Sequence, residues 1–244
     1  GTGYSNVTRG THVRFTSTSQ EQVRNPSVTR ISDTKFCITW VENNNNGPVW
    51  GVVGTVSGTT ITYGTPTSLH SGAVRWDEKR NSCCVYDPNA DRVLVFYASG
   101  STNSDAFICR YFTVSGTSIS NISSEIQIGY LEKPRRIDAV FDSEHNRTIV
   151  AWTTAGSGDY KIYTASLDSS ASTPTTGTIV FQYATTDAAY HVQIAEDATN
   201  DRFMLTWSQN NKVYGNYITI NNSTITINGG ETGGAVEVYS AGNN

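Results

Sequence analysis

Residues 139–152, with the sequence AVFDSEHNRTIVAW, form the stretch that decides the fold. They are typical of a strand, a tight polar turn and a second strand that ends on Trp152. Two other stretches have the same form, CCVYDPNADRVLVFY ending on Tyr97 and IAEDATNDRFMLTW ending on Trp207, and a looser copy, VTRISDTKFCITW, ends on Trp40. The four aromatic residues are 57, 55 and 55 positions apart along the chain. Self-similarity at a nearly fixed period predicts a repeat architecture.

Each repeat is predicted to contain four antiparallel strands. The second strand of each repeat is an almost unbroken apolar run (FCITW, VLVFY, TIVAW and FMLTW), which is typical of a strand buried on both faces. Ser-Gly or Asn-Ser turns join the third and fourth strands, and the alternation in residues 60–63, TITY, indicates a half-exposed outer strand. Such units, repeated about every 55 residues, predict an all-β protein with the β-propeller fold and four-stranded antiparallel blades.

The repeats are predicted to cover residues 23–73, 74–130, 131–186 and 187–240 of a single propeller domain, 1–244. Residues 1–22 match only an outer hairpin, with VTRGTHVRFT aligned to VSGTTITYGT. We expect five blades, with this N-terminal hairpin and the last segment, AVEVYSAG, closing an atypical fifth blade. A four-bladed ring with an added N-terminal hairpin and a piece of a longer tandem array are the alternatives.

Composition and motifs argue against several classes of function. The formal net charge is −4, which argues against binding to a nucleic-acid backbone. There is no apolar run of about 18 residues, so we predict no membrane insertion. The spacings of histidine and cysteine fit no zinc site, and no phosphate-binding loop or G-x-S-x-G motif occurs, so we predict no metal and no cofactor. The sequence leaves open a disulfide from Cys83 or Cys84 to Cys109.

The repeats resemble a known group of proteins. The stretch VWGVVGTVSGTTITYGTP at 49–66 and the units VYDPNADRVLVFY and VFDSEHNRTIVAW are similar to tandem repeats in tail and fibre proteins of tailed phages, particularly marine ones. The resemblance spans most of the chain and is weakest at 166–180 and 218–230. It implies a role in host recognition and an extracellular or virion-surface location, and it carries over no catalytic residues.

The repeated aromatic and acidic residues have structural interpretations that we favour over functional ones. The four aromatic residues each end an apolar run, so packing against the next blade is favoured over stacking on sugars. The pairs Asp87/Arg92, Asp142/Arg147 and Asp197/Arg202 recur, whereas the carboxylate pair of a five-bladed glycosidase is unique in its chain. We therefore interpret each Asp as the cap of a turn that meets the Arg across a hairpin. Arg30 takes the place of the Asp in the first repeat.

A set of basic residues gives the functional hint. Eleven residues before Lys35, Arg92, Arg147 and Arg202, the sequence has Arg24, Asn81, Arg136 and His191, and Arg80 lies next to Asn81. These positions are at the start of the first strand, which lies nearest the axis of a propeller, so we expect a cationic channel mouth that binds an anionic ligand. The predicted ligand-binding residues are Arg24, Arg80, Arg136, His191, Trp50, Trp76 and Tyr190.

The sequence predicts a noncatalytic recognition module that binds host-surface glycans through repeated loop sites. Loops rich in Asn, Ser, Thr, Tyr and Trp suit hydroxyl groups and sugar faces, and repetition strengthens weak sites by multivalency. We expect no enzymatic activity, a glycan or another cell-surface ligand as partner, and self-association. A purely structural virion or assembly protein is the alternative, and a glycoside hydrolase on a five-bladed propeller is a third hypothesis.

Overall fold

The structure is a computed structural model. It describes residues 10–16, 23–42, 47–72, 74, 82–100, 106–129, 134–154, 160–171, 173–185, 190–221, 224–228 and 236–240. Within these ranges the chain forms four antiparallel sheets, one in each predicted repeat. No helix in the described part of the chain is long and apolar enough to cross a membrane.

Each sheet is a blade with the same order of strands. Blade 1 contains β1 (Val23–Arg30), β2 (Lys35–Glu42), β3 (Val49–Ser57), β4 (Thr60–Tyr63) and β5 (Thr67–His70). Blade 2 contains β6 (Ser82–Asp87), β7 (Arg92–Ser99), β8 (Ala106–Ser115), β9 (Ser118–Ser120) and β10 (Ile126–Gly129). Blade 3 contains β11 (Pro134–Asp142), β12 (Arg147–Thr154), β13 (Tyr160–Asp168), β14 (Thr175–Thr176) and β15 (Val180–Thr185). Blade 4 contains β16 (Tyr190–Asp197), β17 (Arg202–Gln209), β18 (Lys212–Asn221), β19 (Thr224–Ile227) and β20 (Val236–Ser240).

The outermost strand of each blade is split into two short strands. In blade 1 both β4 and β5 pair with β3, and the other three blades repeat this arrangement. The predicted fold class, an all-β propeller of four-stranded antiparallel blades, is confirmed. One detail of the closure prediction is wrong, because the segment AVEVYSAG contains β20, which pairs with β18 from Lys212↔Ser240 to Gly215↔Val236 and so belongs to blade 4.

The blades pack face to face in chain order. We call the face of a blade that lies toward the following blade its forward face, and the opposite face its backward face. The forward-face residues Cys37, Leu94 and Ile149 occupy equivalent positions, and each is fully buried. They share apolar clusters with backward-face residues of the next blade, namely Val95, Val150 and Leu205. In the described part of the chain, the core is therefore a series of three interfaces between blades.

The first strands of the four blades lie side by side as an inner layer. Contacts join β1 to β6, β6 to β11 and β11 to β16. Side chains of one inner strand accept hydrogen bonds from the backbone of the next: Ser27 Oγ accepts from Cys84 N at 3.1 Å, and Asp138 Oδ2 accepts from Ile194 N at 3.0 Å. Because an inner strand has no second backbone partner, such bonds satisfy donors that would otherwise be buried without an acceptor.

The N-terminal segment 10–16 lies on the backward face of blade 1. The Phe15 ring is 5.3 Å from that of Trp40 and 5.9 Å from that of Tyr63. A Cβ on Gly10 would meet the carbonyl oxygen of Thr59, just as one on Gly64 would meet that of Thr117 in the next blade. The structural counterpart of GTHVRFT is therefore GTPTSLH at 64–70, which corrects the alignment with VSGTTITYGT. Closure of a fifth blade stays a prediction.

Candidate functional site

The inner strands of blades 1, 3 and 4 carry a β-bulge at the same place. The pairing register shifts between Arg24 and Ser27, between Arg135 and Ile137, and between Tyr190 and Gln193. The bulged strands hold residues with a left-handed backbone, Asn25 (φ 51°), Arg136 (φ 39°) and His191 (φ 55°). A side chain in this conformation costs roughly 1–3 kcal/mol, and such strain concentrates at functional sites. We call this end of the blades the bulge edge.

The strand register at the bulges shows that the predicted equivalence of the basic residues is wrong by one residue in blade 1. In blade 1 the turn Ser32–Thr34 is closed by the hydrogen bond from Ile31 N to Lys35 O, at 2.9 Å, and it is one residue shorter than the turn between Asp87 and Arg92. The inner strand of blade 1 is therefore displaced by one position. The counterpart of Arg136 and His191 is Asn25, and the counterparts of Arg24 are Arg135 and Tyr190.

The predicted site residues differ in how far their side chains are exposed to solvent. Arg24 and His191 are exposed, whereas the Arg136 side chain is buried with only 5% of its surface exposed. Arg136 and His191 lie on neighbouring inner strands, β11 and β16. Tyr190 pairs with Ser208 through the backbone. Arg80 and Trp76 lie outside the described residues. Ligand binding by these residues stays a prediction.

The four equivalent aromatic residues pack in the core, as predicted. Trp40, Tyr97 and Trp152 are fully buried and Trp207 is 2% exposed. In three blades a second aromatic residue from the adjacent strand stacks on the buried one. The ring centroids are 6.5 Å apart for Trp40 and Trp50, 5.6 Å for Trp152 and Tyr163, and 6.0 Å for Trp207 and Tyr214.

The outer ring of each stacked pair is half-buried. Because the inner aromatic residue lies beside the bulge, each outer ring is held at the bulge edge by the strand register. Trp50 donates its indole N–H to Glu42 Oε2 at 3.0 Å, and Tyr214 lies opposite Glu237, which pairs with Lys212 at 2.8 Å. Each of these two outer rings therefore has a carboxylate next to it.

Blade 2 departs from the repeat at this level. Tyr97 replaces tryptophan, and its hydroxyl donates to Glu125 Oε1 at 3.2 Å. The same carboxylate lies 2.7 Å from His70 Nδ1 and 3.4 Å from Arg110 Nη2, and the His70 ring is 5.0 Å from the Tyr97 ring. The other blades have Val52, Ala165 and Asn216 at the position of Arg110. This cluster joins the outer strands of blades 1 and 2.

Burial controls the protonation of this cluster. It lowers the pKa of His70, and this effect exceeds the opposing effect of the Glu125 carboxylate. The imidazole is therefore neutral at pH 7 and donates Nδ1–H to Glu125. Burial also raises the pKa of Tyr97, and the negative charge of Glu125 raises it further. The sequence comparison missed this cluster because it looked for residues that all repeats share. His70, Tyr97, Arg110 and Glu125 lie at positions where blades 1 and 2 differ from the other repeats.

The aspartates of the inner turns act mainly as caps, as predicted. Asp87 Oδ1 accepts from Asn89 N and Ala90 N, and Asp142 Oδ1 accepts from Glu144 N and His145 N, at 2.9–3.1 Å. The expected pairing with Arg across the hairpin is present in blade 4, where Arg202 Nε lies 2.9 Å from Asp197 Oδ2. The other two arginines reach blade 3 residues: Arg92 donates to Ala171 O at 2.7 Å, and Arg147 pairs with Asp168 at 3.6 Å.

The cysteines and the acidic residues suggest no further site. The four cysteines are free and buried, and burial raises the thiol pKa of each. Within the described ranges, His, Cys, Asp and Glu residues form no group of three or more that could hold a metal ion.

Comparisons with known proteins identify the fold. No protein-family model and no curated protein matches the sequence. The chain is similar to the structure of an exo-β-1,3-galactanase from Phanerochaete chrysosporium with β-1,3-galactotriose, with a TM-score of 0.53 and 10% identity, over 88% of this chain and 52% of the galactanase chain. It is also similar to a protein from Lactobacillus plantarum, with a TM-score of 0.41 and 12% identity, over 84% and 70% of the two chains. The chain spans about half the length of the galactanase, and at this identity the similarity concerns the fold alone.

The comparison contradicts the prediction that this chain is not an enzyme, because the fold is shared with a galactanase. That prediction depended on the repeated Asp/Arg motifs, which contain no unique carboxylate pair. It did not consider carboxylates outside those motifs, such as Glu125 and Glu42. The shared fold therefore does not exclude an enzyme.

Proposed function

We propose that this propeller binds carbohydrate at the bulge edge, with the outer rings of the stacked aromatic pairs as platforms. The observation that carries the proposal is the repetition of one arrangement in three blades: a buried tryptophan supports a half-buried Trp50, Tyr163 or Tyr214. A ring held from behind loses little entropy when a sugar stacks on it, and its supporting strands keep its position fixed.

Blade 1 offers the best-equipped platform. The Glu42 carboxylate accepts the indole N–H of Trp50 and so fixes the orientation of the ring. Arg24 is exposed at the same end of the blade, but it pairs with Val41, so it lies on the forward face, opposite to Trp50. A guanidinium there favours an acidic sugar that extends across the bulge edge.

Three similar platforms on one protein suit a ligand with repeated sugar units. Single sites of this size bind weakly, and simultaneous occupation of several sites raises the overall affinity without new contacts. A polysaccharide on a cell surface fits this requirement. We therefore also propose an extracellular or virion-surface location, in agreement with the resemblance to phage tail and fibre repeats.

The test is a glycan array followed by titration calorimetry with the oligosaccharide that binds. The change Trp50→Ala should weaken binding about tenfold, which corresponds to about 1.4 kcal/mol. The matched control is Tyr86→Ala, since Tyr86 is a half-buried aromatic residue that donates to Asp91 at the opposite end of its blade. The control should bind as the parent does.

Turnover is measured on the same ligand, because the shared fold leaves hydrolysis open. Release of reducing sugar that Glu125→Gln abolishes would make the protein a glycoside hydrolase as well as a binder. Absence of any glycan bound, or binding that Trp50→Ala leaves intact, would refute the proposed platforms. Adding Tyr163→Ala and Tyr214→Ala to Trp50→Ala should reduce the affinity stepwise.

A further inference from the structure

The interface between blades 1 and 2 contains a cluster of ionisable side chains. His70, on β5 of blade 1, faces three residues of blade 2, namely Tyr97, Arg110 and Glu125. One oxygen, Glu125 Oε1, accepts hydrogen bonds from the other three side chains: from His70 Nδ1 at 2.7 Å, Tyr97 Oη at 3.2 Å and Arg110 Nη2 at 3.4 Å. Arg110 Nη1 also donates to the carbonyl oxygen of Leu69, next to His70, at 2.9 Å. These contacts hold the outer strand of blade 1 against blade 2.

This cluster has no net charge while His70 is neutral. The Glu125 carboxylate balances the Arg110 guanidinium, and a proton on His70 would therefore leave the cluster with one uncompensated positive charge. The His70 side chain is only 11% exposed, so water screens that charge poorly. Burial, which is the largest effect, lowers the pKa of His70, and Arg110 lowers it further against the opposing effect of Glu125.

The second ring nitrogen of His70 has no acceptor for an added proton. Nε2 is buried and has no hydrogen-bond partner among the described residues. It lies against the backbone of Gly72, where a Cβ would be 2.7 Å away. Protonation turns Nε2 from an acceptor into a donor, and a buried donor without a partner costs free energy. The protonated ring is therefore satisfied only where the interface opens to water.

The other two interfaces between neighbouring blades are built without such a cluster. The counterparts are Gly129 and Tyr183 for His70, Trp152 and Trp207 for Tyr97, and Ala165 and Asn216 for Arg110. None of these residue types titrates in the range from about pH 5 to 8, where histidine does. A proton in this range therefore acts at this level of the blades on one interface of the three.

We propose that His70 is a pH-sensitive switch that keeps blades 1 and 2 in contact while its ring is neutral. Uptake of one proton at Nε2 loosens the contact of β5 with blade 2 and leaves the other two interfaces closed. The closed interface holds the neutral ring, so its stability is complete above the ordinary histidine pKa and is lost as the pH falls below ~6.5. The proton comes from water and returns to it when the pH rises, so the change is reversible.

The four free cysteines report on two interfaces separately. Cys37 and Cys84 belong to the apolar cluster between blades 1 and 2, and Cys83 and Cys109 belong to the cluster between blades 2 and 3. The experiment is labelling of the full chain with a dithiodipyridine, which reacts with thiols in weak acid, from about pH 8 to about pH 5. Fragmentation in the mass spectrometer separates the labelled Cys83 from the labelled Cys84.

The expected result is selective labelling in acid. The rates at Cys37 and Cys84, relative to those at Cys83 and Cys109, should rise by up to about tenfold for each pH unit below ~6.5, which is the slope for uptake of one proton. Equal acceleration at all four cysteines would show global acid unfolding and would overturn the proposal. The absence of any acceleration would overturn it as well.

Two variants assign the response to His70. The change His70→Asn keeps a donor for Glu125 at the place of Nδ1 and takes up no proton, so the relative rates should not depend on pH. His145→Asn is the matched control, since His145 Nδ1 also lies 3.0 Å from a carboxylate oxygen, that of Asp142, and this variant should respond as the parent does. An acid response that survives in His70→Asn overturns the proposal, and so does one that His145→Asn removes. Circular dichroism verifies that both variants are folded.

Discussion

A matched pair of substitutions tests the assignment of forward and backward faces. Leu94 and Met204 occupy equivalent forward-face positions, in blades 2 and 4, yet Leu94 is fully buried and Met204 is 40% exposed. Leu94→Ala removes three carbon atoms, which is about 2.4 kcal/mol of transfer free energy at ~0.8 kcal/mol per methylene. The cavity left between Leu94 and its neighbour Val150 raises the cost to about 3–5 kcal/mol.

Met204→Ala should cost much less. About 60% of the side chain's transfer free energy is at stake, because the rest is already exposed to solvent, and an open face leaves no enclosed cavity. We expect a loss of about 1–1.5 kcal/mol in the free energy of unfolding. Ile149→Ala, in blade 3, should behave like Leu94→Ala, since Ile149 is fully buried against blade 4.

The assay is urea unfolding followed by tryptophan fluorescence, at a concentration where sedimentation shows single chains. The midpoints should fall in the order parent, Met204→Ala, then the two buried variants, with similar slopes for all four proteins. Equal losses for Leu94→Ala and Met204→Ala would show that the forward face of blade 4 is covered within the molecule. That result would refute the assignment of Met204 to an exposed forward face.

Three further predictions concern other parts of the molecule. Val150→Asp should prevent soluble expression, because an unpaired charge in a fully buried position costs several kcal/mol. Thr62→Asp, on the outer strand, should leave the yield of soluble protein nearly unchanged. Comparable yields of the two variants would refute the assignment of inner and outer strands. Burial lowers the pKa of His70, so below pH ~6.5 the imidazole takes up a proton in the unfolded chain but stays neutral in the folded one. The free energy of unfolding should therefore fall as the pH decreases below that value. The variant His70→Asn should remove this component of the pH profile, which thermal melts measure. His191→Asn should leave stability unchanged or raise it by up to about 1 kcal/mol, since asparagine tolerates the left-handed backbone, and calorimetry should show weaker binding of an acidic oligosaccharide; destabilisation would refute the strain assignment.

The sequence predicted the scaffold well because the scaffold is what the repeats share. The runs VLVFY and TIVAW carry the apolar pattern of β7 and β12, and the structure forms both as central strands. The aromatic marker at the end of each run is buried as expected. Periodicity along the chain is a local signal, so it needs no knowledge of which blade packs on which.

The errors come from one-residue shifts and from pairing between distant segments. Blade 1 has a turn one residue shorter than the others, so counting back from Lys35 placed Arg24 where Asn25 belongs. The pairing of β20 with β18 follows from the split outer strand, and the sequence of AVEVYSAG alone does not specify a partner. Strand partners are set by packing of the whole blade, which a residue pattern does not encode.

At two of the bulges a basic side chain lies on a left-handed backbone. The left-handed conformation at Arg136 and His191 suits glycine or asparagine at lower cost, and blade 1 uses Asn25 at the same place. The chain contains 21 glycines, so this solution was within reach of its composition. Keeping a basic side chain on a strained backbone costs stability at both places. We propose that at His191, whose side chain is exposed, contact with a ligand at the bulge edge offsets this cost.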